Sequence, residues 1–311
     1  MSSRHVTFLG TSSQVPTRAR NHNALFLQWD EFGLLVDPGE GTQRQMLQAG
    51  LSASQITHIL ITHFHGDHCL GLAGIIQRLS LDRVPHPVEV IYPASGQVYF
   101  ERLRHASSFY EVATLVPRPI TASAEAAVQV ARLGKATLLA QSLEHGIECQ
   151  GYRLQEDDGR RMLPERLAAA GLRGPAVGRL QAAGQVEIEG RIVRLEEVSE
   201  RRPGQAVAVV MDTRACIGAS GLASGVDLLV CEATYQQESA REAWERGHMT
   251  ATAAAELAAQ AGARRLALTH FSQRYQTLDG FRAEAGALHG DVFCADDLTR
   301  IEVPARRESA S

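Results

Sequence analysis

Lysine is almost missing from this chain: Lys135 is the only one, so arginine supplies nearly all of the positive charge. Any contact with phosphate must therefore be of the guanidinium type, planar and able to bind bidentately. An excess of positive charge is also lacking. The net charge of −4 gives no global attraction to nucleic acid, so an RNA or DNA contact has to use a local basic patch. The five cysteines (Cys69, Cys149, Cys216, Cys231 and Cys294) are odd in number and have no paired spacing. They are expected to be reduced thiols of a cytoplasmic protein, with no disulfide partner. No apolar run approaches a membrane span. No charged-then-apolar segment precedes Val6, so no signal sequence is expected.

What is there in quantity is a set of short apolar runs, at Val6 to Leu9, Ala24 to Leu27, Gly33 to Val36, Ile56 to Ile61 and Val88 to Ile91. Glycine, proline or polar clusters separate them, as in strands joined by short turns. Val207 to Met211, Val226 to Val230 and Leu266 to Leu268 read the same way. Helical spacing appears at Gly71 to Leu79 and in the alanine-rich stretch Thr250 to Gln260, which should end at Gly262. Strands followed by a polar residue and then a helix occur in both halves. This predicts an α/β protein with two sheets face to face and helices outside, an αββα sandwich. Its 311 residues suffice for one large domain with an insertion.

One stretch does not fit that scheme. Residues 159–184 hold Pro164, Pro175 and five arginines against one acid, Glu165. With too little apolar content for a core element, the stretch reads as a protruding, flexible arm, inserted at about 152–190. From Pro304 onward a disordered tail is expected, leaving 1–303 as the folded domain.

The chemistry concentrates in His63-Phe64-His65-Gly66-Asp67-His68, three imidazoles and a carboxylate directly after an apolar run. Imidazole and carboxylate suit zinc and its neighbours. The run offers more ligands than one four-coordinate ion can take with a position left open, which points to two ions and to hydrolytic chemistry. His145, Asp212 and His270 each follow an apolar strand-like segment, where strands deliver residues into a shared cleft. Any one of them alone could be a satisfied structural residue.

Several stretches together resemble the ribonuclease Z branch of the metallo-β-lactamase superfamily, the tRNA 3′-processing endonucleases. They are FLGTSSQVPTRARN, LLVDPGEGTQRQM, ITHFHGDHCLGL, LEHGIECQGYRL, GLRGPAVGRLQAAG, DTRA, DLLVCEATY, GHMTATAAAELA and LTHFSQRY. The HFHGDH core indicates only the superfamily; the arm, GHMTA and LTHFSQRY stretches are more specific. Carried over position by position, the resemblance implies one zinc on His63, His65, His145 and a bridging Asp212, and a second on Asp67, His68, Asp212 and His270. Manganese suits the same ligands.

The resemblance further implies a four-layer metallo-β-lactamase sandwich with a protruding arm that acts as an exosite. It implies an endoribonuclease that removes the 3′ trailer from precursor tRNA, leaving a 3′-hydroxyl on the tRNA and a 5′-phosphate on the trailer. Asp67 is then the proton acceptor, His248 the proton donor and Glu232 its orienting partner. Arg18, Arg20, Asn21, Thr250 and Arg274, with Arg173 and Arg179 of the arm, are the expected RNA contacts. A homodimer is implied as well. The alternative on the same scaffold is a phosphodiesterase or other hydrolase of small molecules, for which a long Gly/Arg arm has no use.

Overall fold

The computed structural model describes residues 4–306. The chain forms two compact units, one made of the residues up to Gln155 and from Ala206 onward, the other of Glu156–Gln205.

In the first unit the apolar runs become two seven-stranded sheets. One sheet runs Arg300–Glu302, Arg4–Gly10, Ala24–Trp29, Phe32–Val36, His58–Leu60, Val88–Pro93 and Leu115–Ile120. The other runs Val292–Cys294, Leu266–Thr269, Leu228–Glu232, Ala206–Val210, Cys149–Glu156, Ala136–Leu143 and Val128–Leu133. Side chains alternate across each strand, so Val207, Val209 and Met211 face the other sheet while Ala208 and Val210 face helices. Both faces are buried, which is why these strands read as unbroken apolar runs rather than as alternating ones.

Three apolar layers hold the sandwich together. Phe8, Leu27, Leu34 and Val36 meet Tyr152, Val207, Val209 and Val230 between the sheets. Outside the first sheet, Phe26, Leu35 and Ile59 pack on Leu72, Ile75, Ile76 and Leu79 of helix Leu72–Leu81. Outside the second, small residues of helices Ile217–Ala223 and Ala251–Ala261 lie on Ala208, Val210, Leu229 and Cys231. Each large side chain so buried is worth about 1.5–3 kcal/mol relative to exposure. The result is the expected four-layer αββα arrangement.

Helix Ala251–Ala261 shows how local sequence sets its ends. Thr250 is its N-cap, its side chain accepting from the Ala253 N–H, and Gly262 closes it in the left-handed region at φ 68°. Among the described residues no helix is long and apolar enough to cross a membrane, and all five cysteines are free thiols.

The second unit has structure that its composition concealed. Gly159–Met162 pairs with Ser199–Arg202, and Gln185–Ile188 pairs with Arg191–Arg194. Helices Pro164–Ala169 and Pro175–Ala183 lie between, each started by proline at its first turn. Leu172, Leu180, Val193 and Val198 form its own small core. The stretch 159–184 looked too poor in apolar residues because Val193 and Val198, which complete the cluster, lie beyond it. Its neck is tight: Gln155 pairs with Ala206, and the Glu156 N–H donates to the Gln205 carbonyl at 2.9 Å. Of the expected tail, residues 304–306 are held in place. Arg264 donates to the Ala305 carbonyl at 3.0 Å and Arg306 pairs with the buried Asp227. Residues 307–311 lie outside the described residues.

Candidate metal centre

All seven expected ligands converge at the ends of strands. His63 and His65 follow His58–Leu60, Asp67 and His68 lie in the short helix Gly66–Cys69, and His145 follows Ala136–Leu143. Asp212 and His270 follow the strands Ala206–Val210 and Leu266–Thr269. Both adopt positive φ, 24° and 63°, a conformation that costs a non-glycine residue about 1–3 kcal/mol. The kink turns each side chain off its strand and into the cleft.

The donor atoms fall into two groups joined by one carboxylate. His63 Nε2 is 3.0 Å from His65 Nδ1, and His145 Nε2 is 3.2 Å from the same atom. Asp212 Oδ2 lies 3.6 and 3.7 Å from His63 and His145. On its other side, Asp212 Oδ1 lies 3.3 Å from His68 Nε2 and 3.2 Å from His270 Nε2. Those two nitrogens are each 3.4 Å from Asp67 Oδ2. Ligand atoms on a tetrahedral zinc, bound at about 2.0–2.1 Å, stand about 3.3 Å apart. The spacings fit that requirement, and Asp212 Oδ1 is buried without a hydrogen-bond partner.

Hydrogen bonds behind the ligands fix which ring nitrogen is free. Thr62 Oγ1 donates to Asp37 Oδ2 at 2.7 Å, so it accepts from His63 Nδ1 at 3.0 Å. His68 Nδ1 donates to the same Asp37 oxygen at 2.8 Å. His145 Nδ1 donates to the Gly247 carbonyl at 2.9 Å. Thr234 Oγ1 donates to Glu232 Oε2 at 2.7 Å and accepts from His270 Nδ1 at 3.0 Å. Each of the four rings is thereby left with an Nε2 lone pair aimed at the centre. Burial, then neighbouring imidazoles, lowers the pKa of His63 and His65 and keeps them neutral, as ligation needs. Burial opposes a charge on His68, yet Asp212, Asp67 and Asp37 together raise it well above the usual range. That cluster of buried carboxylates calls for a cation, and the residues present fit divalent metal.

Two further groups sit beside the ligands. His248 Nδ1 is 2.9 Å from Glu232 Oε1, and Glu232 is fixed by the N–H groups of Thr213 and Thr234. Burial works against a charged His248, but Glu232 and then Asp212 raise it to about 9. His248 also lies in a third donor group with Asp212 and His270, while its Nδ1 is engaged by Glu232. Burial alone would raise the pKa of Asp67, but His68 and His270 hold it well below the usual carboxylate range. Asp67 Oδ2 also accepts the Gln14 N–H at 2.7 Å. A cleft of about 870 Å³ opens over this centre, lined among others by Gln14, His22, Asp67, His248, Arg246 and Arg274.

The expected RNA contacts separate into kinds. Arg18 is exposed and Arg274 lines the cleft, paired with Glu242 and lying over Tyr235. Arg20 is only 8 % exposed; its Nη1 donates to the Tyr275 carbonyl and its guanidinium faces the Phe271 ring. Such an arginine anchors a loop and is not open to a phosphate. Asn21 bonds the Glu40 and His22 carbonyls, and Thr250 is occupied as a helix cap and as donor to Gln237. Arg173 and Arg179 are exposed in the second unit. Asp37, Thr62, Thr234 and the Gln14 amide had no signal of their own in the sequence, beyond a glycine-rich turn after Asp37.

Proteins called Ribonuclease Z match nearly the whole chain. That of Nocardia farcinica (strain IFM 10152) is 56 % identical, over 99 % of this chain and 100 % of its own length. The Streptomyces coelicolor protein is 54 % identical over 99 % and 100 %, and that of Chlamydia muridarum 44 % over 98 % and 99 %. The chain belongs to the ribonuclease Z family. A family described as Anti-Pycsar protein Apyc1 matches residues 4–96 alone. Among solved structures, the human tRNase Z short form superposes with a TM-score of 0.71 at 27 % identity, covering 97 % of this chain and 100 % of that one. The metallo-beta-lactamase fold protein YhfI from Bacillus subtilis gives 0.69 at 16 %, with the same two coverages, and speaks for the fold.

Proposed function

We propose that this protein is a metal-dependent endoribonuclease that removes the 3′ trailer from precursor tRNA. The products are a tRNA with a 3′-hydroxyl and a trailer with a 5′-phosphate. The observation that carries this reading is the bridged donor set beside the Glu232–His248 pair. Two ions, zinc in the first place with manganese as a substitute, fit the two groups that share Asp212. His63, His65, His145 and Asp212 Oδ2 would hold one; Asp67, His68, His270 and Asp212 Oδ1 would hold the other. Ions held there supply Lewis acidity, acidifying water and drawing charge from phosphoryl oxygens.

The protein's own groups divide the remaining work. Asp67, steadied by the Gln14 N–H, orients the attacking water and accepts its proton. His248 gives a proton to the departing 3′-oxygen, and Glu232 keeps the imidazole aimed and charged. Arg18 and Arg274 hold phosphates at the cleft. Asn21 contributes by shaping the loop with Arg20, and Thr250 by starting the helix that follows His248. Arg173 and Arg179 grip the RNA backbone by charge.

The working form is a cytoplasmic homodimer. Support for the dimer comes from Leu81 and Tyr110, 76 % and 88 % exposed, which line one groove with Phe109 and Val112. Free thiols in four buried positions and one half-buried position accord with a reducing compartment.

The deciding experiment supplies a 3′-extended precursor tRNA with zinc or manganese, with and without an encoded CCA end. A single cut beside the discriminator nucleotide, abolished by chelation, is expected. No cut, together with efficient turnover of a small phosphodiester, would overturn the reading in favour of a small-molecule hydrolase.

A further inference from the structure

Asp297 stands in the turn between strands Val292–Cys294 and Arg300–Glu302. That turn is docked on the end of strand Arg4–Gly10: the Phe8 N–H donates to the Thr299 carbonyl at 2.9 Å, and the Leu298 N–H donates to the Phe8 carbonyl at 2.6 Å. Leu298 takes φ 64°, a conformation that leucine adopts only where its surroundings impose it. The Asp297 carboxylate collects three donors. Its Oδ1 accepts the Thr11 hydroxyl at 2.8 Å, and its Oδ2 accepts the Asn21 N–H at 2.7 Å and Gln45 Nε2 at 3.0 Å. Burial pushes the Asp297 carboxyl up to about 6, although the Asn21 N–H and the Thr11 hydroxyl pull it down. The fold keeps an acid here against the loss of its hydration.

Thr11 and Asn21 are the two ends of one loop. The Ser12 N–H donates to the Asn21 carbonyl at 2.9 Å and closes its base. The Thr11 carbonyl accepts the Phe271 N–H at 2.8 Å, and Arg20 Nη1 donates to the Tyr275 carbonyl at 3.0 Å. The loop is thus stitched to the segment that follows His270. From this base it reaches the cleft, which Ser13 and Gln14 line. There the Gln14 N–H meets Asp67 Oδ2 at 2.7 Å. Only Ser12 and Ser13 separate Thr11 from Gln14, a span of about 10 Å when extended. Freedom at the base is therefore passed directly to the amide.

We propose that Asp297 is a positioning residue for hydrolysis: by tying Thr11 to Asn21 it holds the Gln14 amide on Asp67, and so sets the carboxylate that orients the attacking water. The proposal rests on the role given to Asp67 in the ribonuclease reading. A carboxylate suits the task because both its oxygens accept and neither donates. An apolar side chain at 297 would release both ends of the loop at once. Asp297 touches no reacting atom, so its influence has to pass through Gln14.

The test uses full-length, metal-loaded protein with bis(p-nitrophenyl) phosphate as well as precursor tRNA. Nitrophenolate departs without a proton, so its release reports the attack side, where Asp67 acts, and not the His248 side. D297A should lower kcat on the diester about tenfold, the order of one lost hydrogen bond to a charged group, with KM changed less than about twofold. Gln14→Pro already lacks the amide, and adding D297A to it should cost less than about a further twofold. Hydrogen exchange followed by mass spectrometry should show residues 12–21 of D297A exchanging about tenfold faster, with the strands unchanged. Thr11→Val, nearly the same shape, frees one end of the loop and should show the same pattern if D297A does not fold. The same fold-loss with and without Gln14→Pro, a native kcat in D297A, or unchanged exchange of the loop overturns the proposal. A native protein that hydrolyses the diester but leaves precursor tRNA whole removes the ribonuclease reading and still tests Asp297. If it hydrolyses neither, both fall.

Discussion

Gln14 donates its backbone N–H to Asp67 Oδ2 at 2.7 Å, and it does so from the left-handed region at φ 57°. The loop that begins after Arg4–Gly10 thus reaches a carboxylate more than fifty positions away in sequence. What it presents there is an amide, not a side chain.

The identity of residue 14 should therefore matter through its backbone alone. Gln14→Gly keeps the donor and suits the positive φ, and should retain near-native kcat. Gln14→Pro removes the N–H and cannot adopt that φ. Loss of a hydrogen bond to a charged group corresponds to about 10- to 100-fold, and single-turnover cleavage should show it in the rate more than in binding. Equal activity of the two variants would refute the role.

Asp37 is the support shared by His68 and, through Thr62, His63. Its two oxygens accept from the Thr62 N–H, the Thr62 hydroxyl and His68 Nδ1. Asp37→Asn forces an NH2 group against at least one of those donors. Metal affinity, followed by competition with a chromogenic chelator, should fall about 10- to 100-fold, as for other residues that stand behind metal ligands. An unchanged affinity would mean that the ligands are held by packing alone.

Glu156–Gln205 should be removable. Gln155 and Ala206 are already cross-strand partners, so a two-residue Asn-Gly turn can close the gap. The shortened protein should keep a cooperative thermal unfolding transition and its turnover of a small phosphodiester. Its kcat/KM on precursor tRNA should drop by about tenfold or more at physiological salt, with a shallower salt dependence. A parallel loss on both substrates would argue against an RNA-binding role for this unit.

Leu81→Glu places a charge in the exposed apolar groove that also holds Tyr110. Sedimentation velocity should show the native protein as a dimer and the variant as a monomer at the same concentration. A monomeric native protein, or an undisturbed variant dimer, would remove this face as the interface.

The sequence made the centre legible where chemistry is local. His63 to His68 declares itself by ligand density, and His145, Asp212 and His270 by their places after apolar strands. The same reasoning ran short where a role is conferred by distant neighbours. Nothing in LLVDPGEG reveals that Thr62 and His68 will lean on Asp37. Gln14 could not be found at all, since every residue but proline carries an amide. Nor does the sequence show that Arg20 meets the Tyr275 carbonyl and the Phe271 ring, or that Thr250 caps the helix Ala251–Ala261. The core of the second unit is hidden for a related reason: Leu172, Leu180, Val193 and Val198 are spread along the insertion, so no single window shows enough apolar residues.

The closed neck at Gln155 and Ala206 has a bearing on how such a chain can change over time. The 50-residue excursion between them enters the main fold as a loop whose ends already touch. Loop-closure entropy grows only logarithmically, so doubling its length would cost the sheets about 0.6 kcal/mol. Drift in the size and composition of this segment is therefore nearly invisible to the stability of the metal-bearing sandwich. The strands that carry the ligands keep their pairing whatever the length of chain spliced in between Gln155 and Ala206.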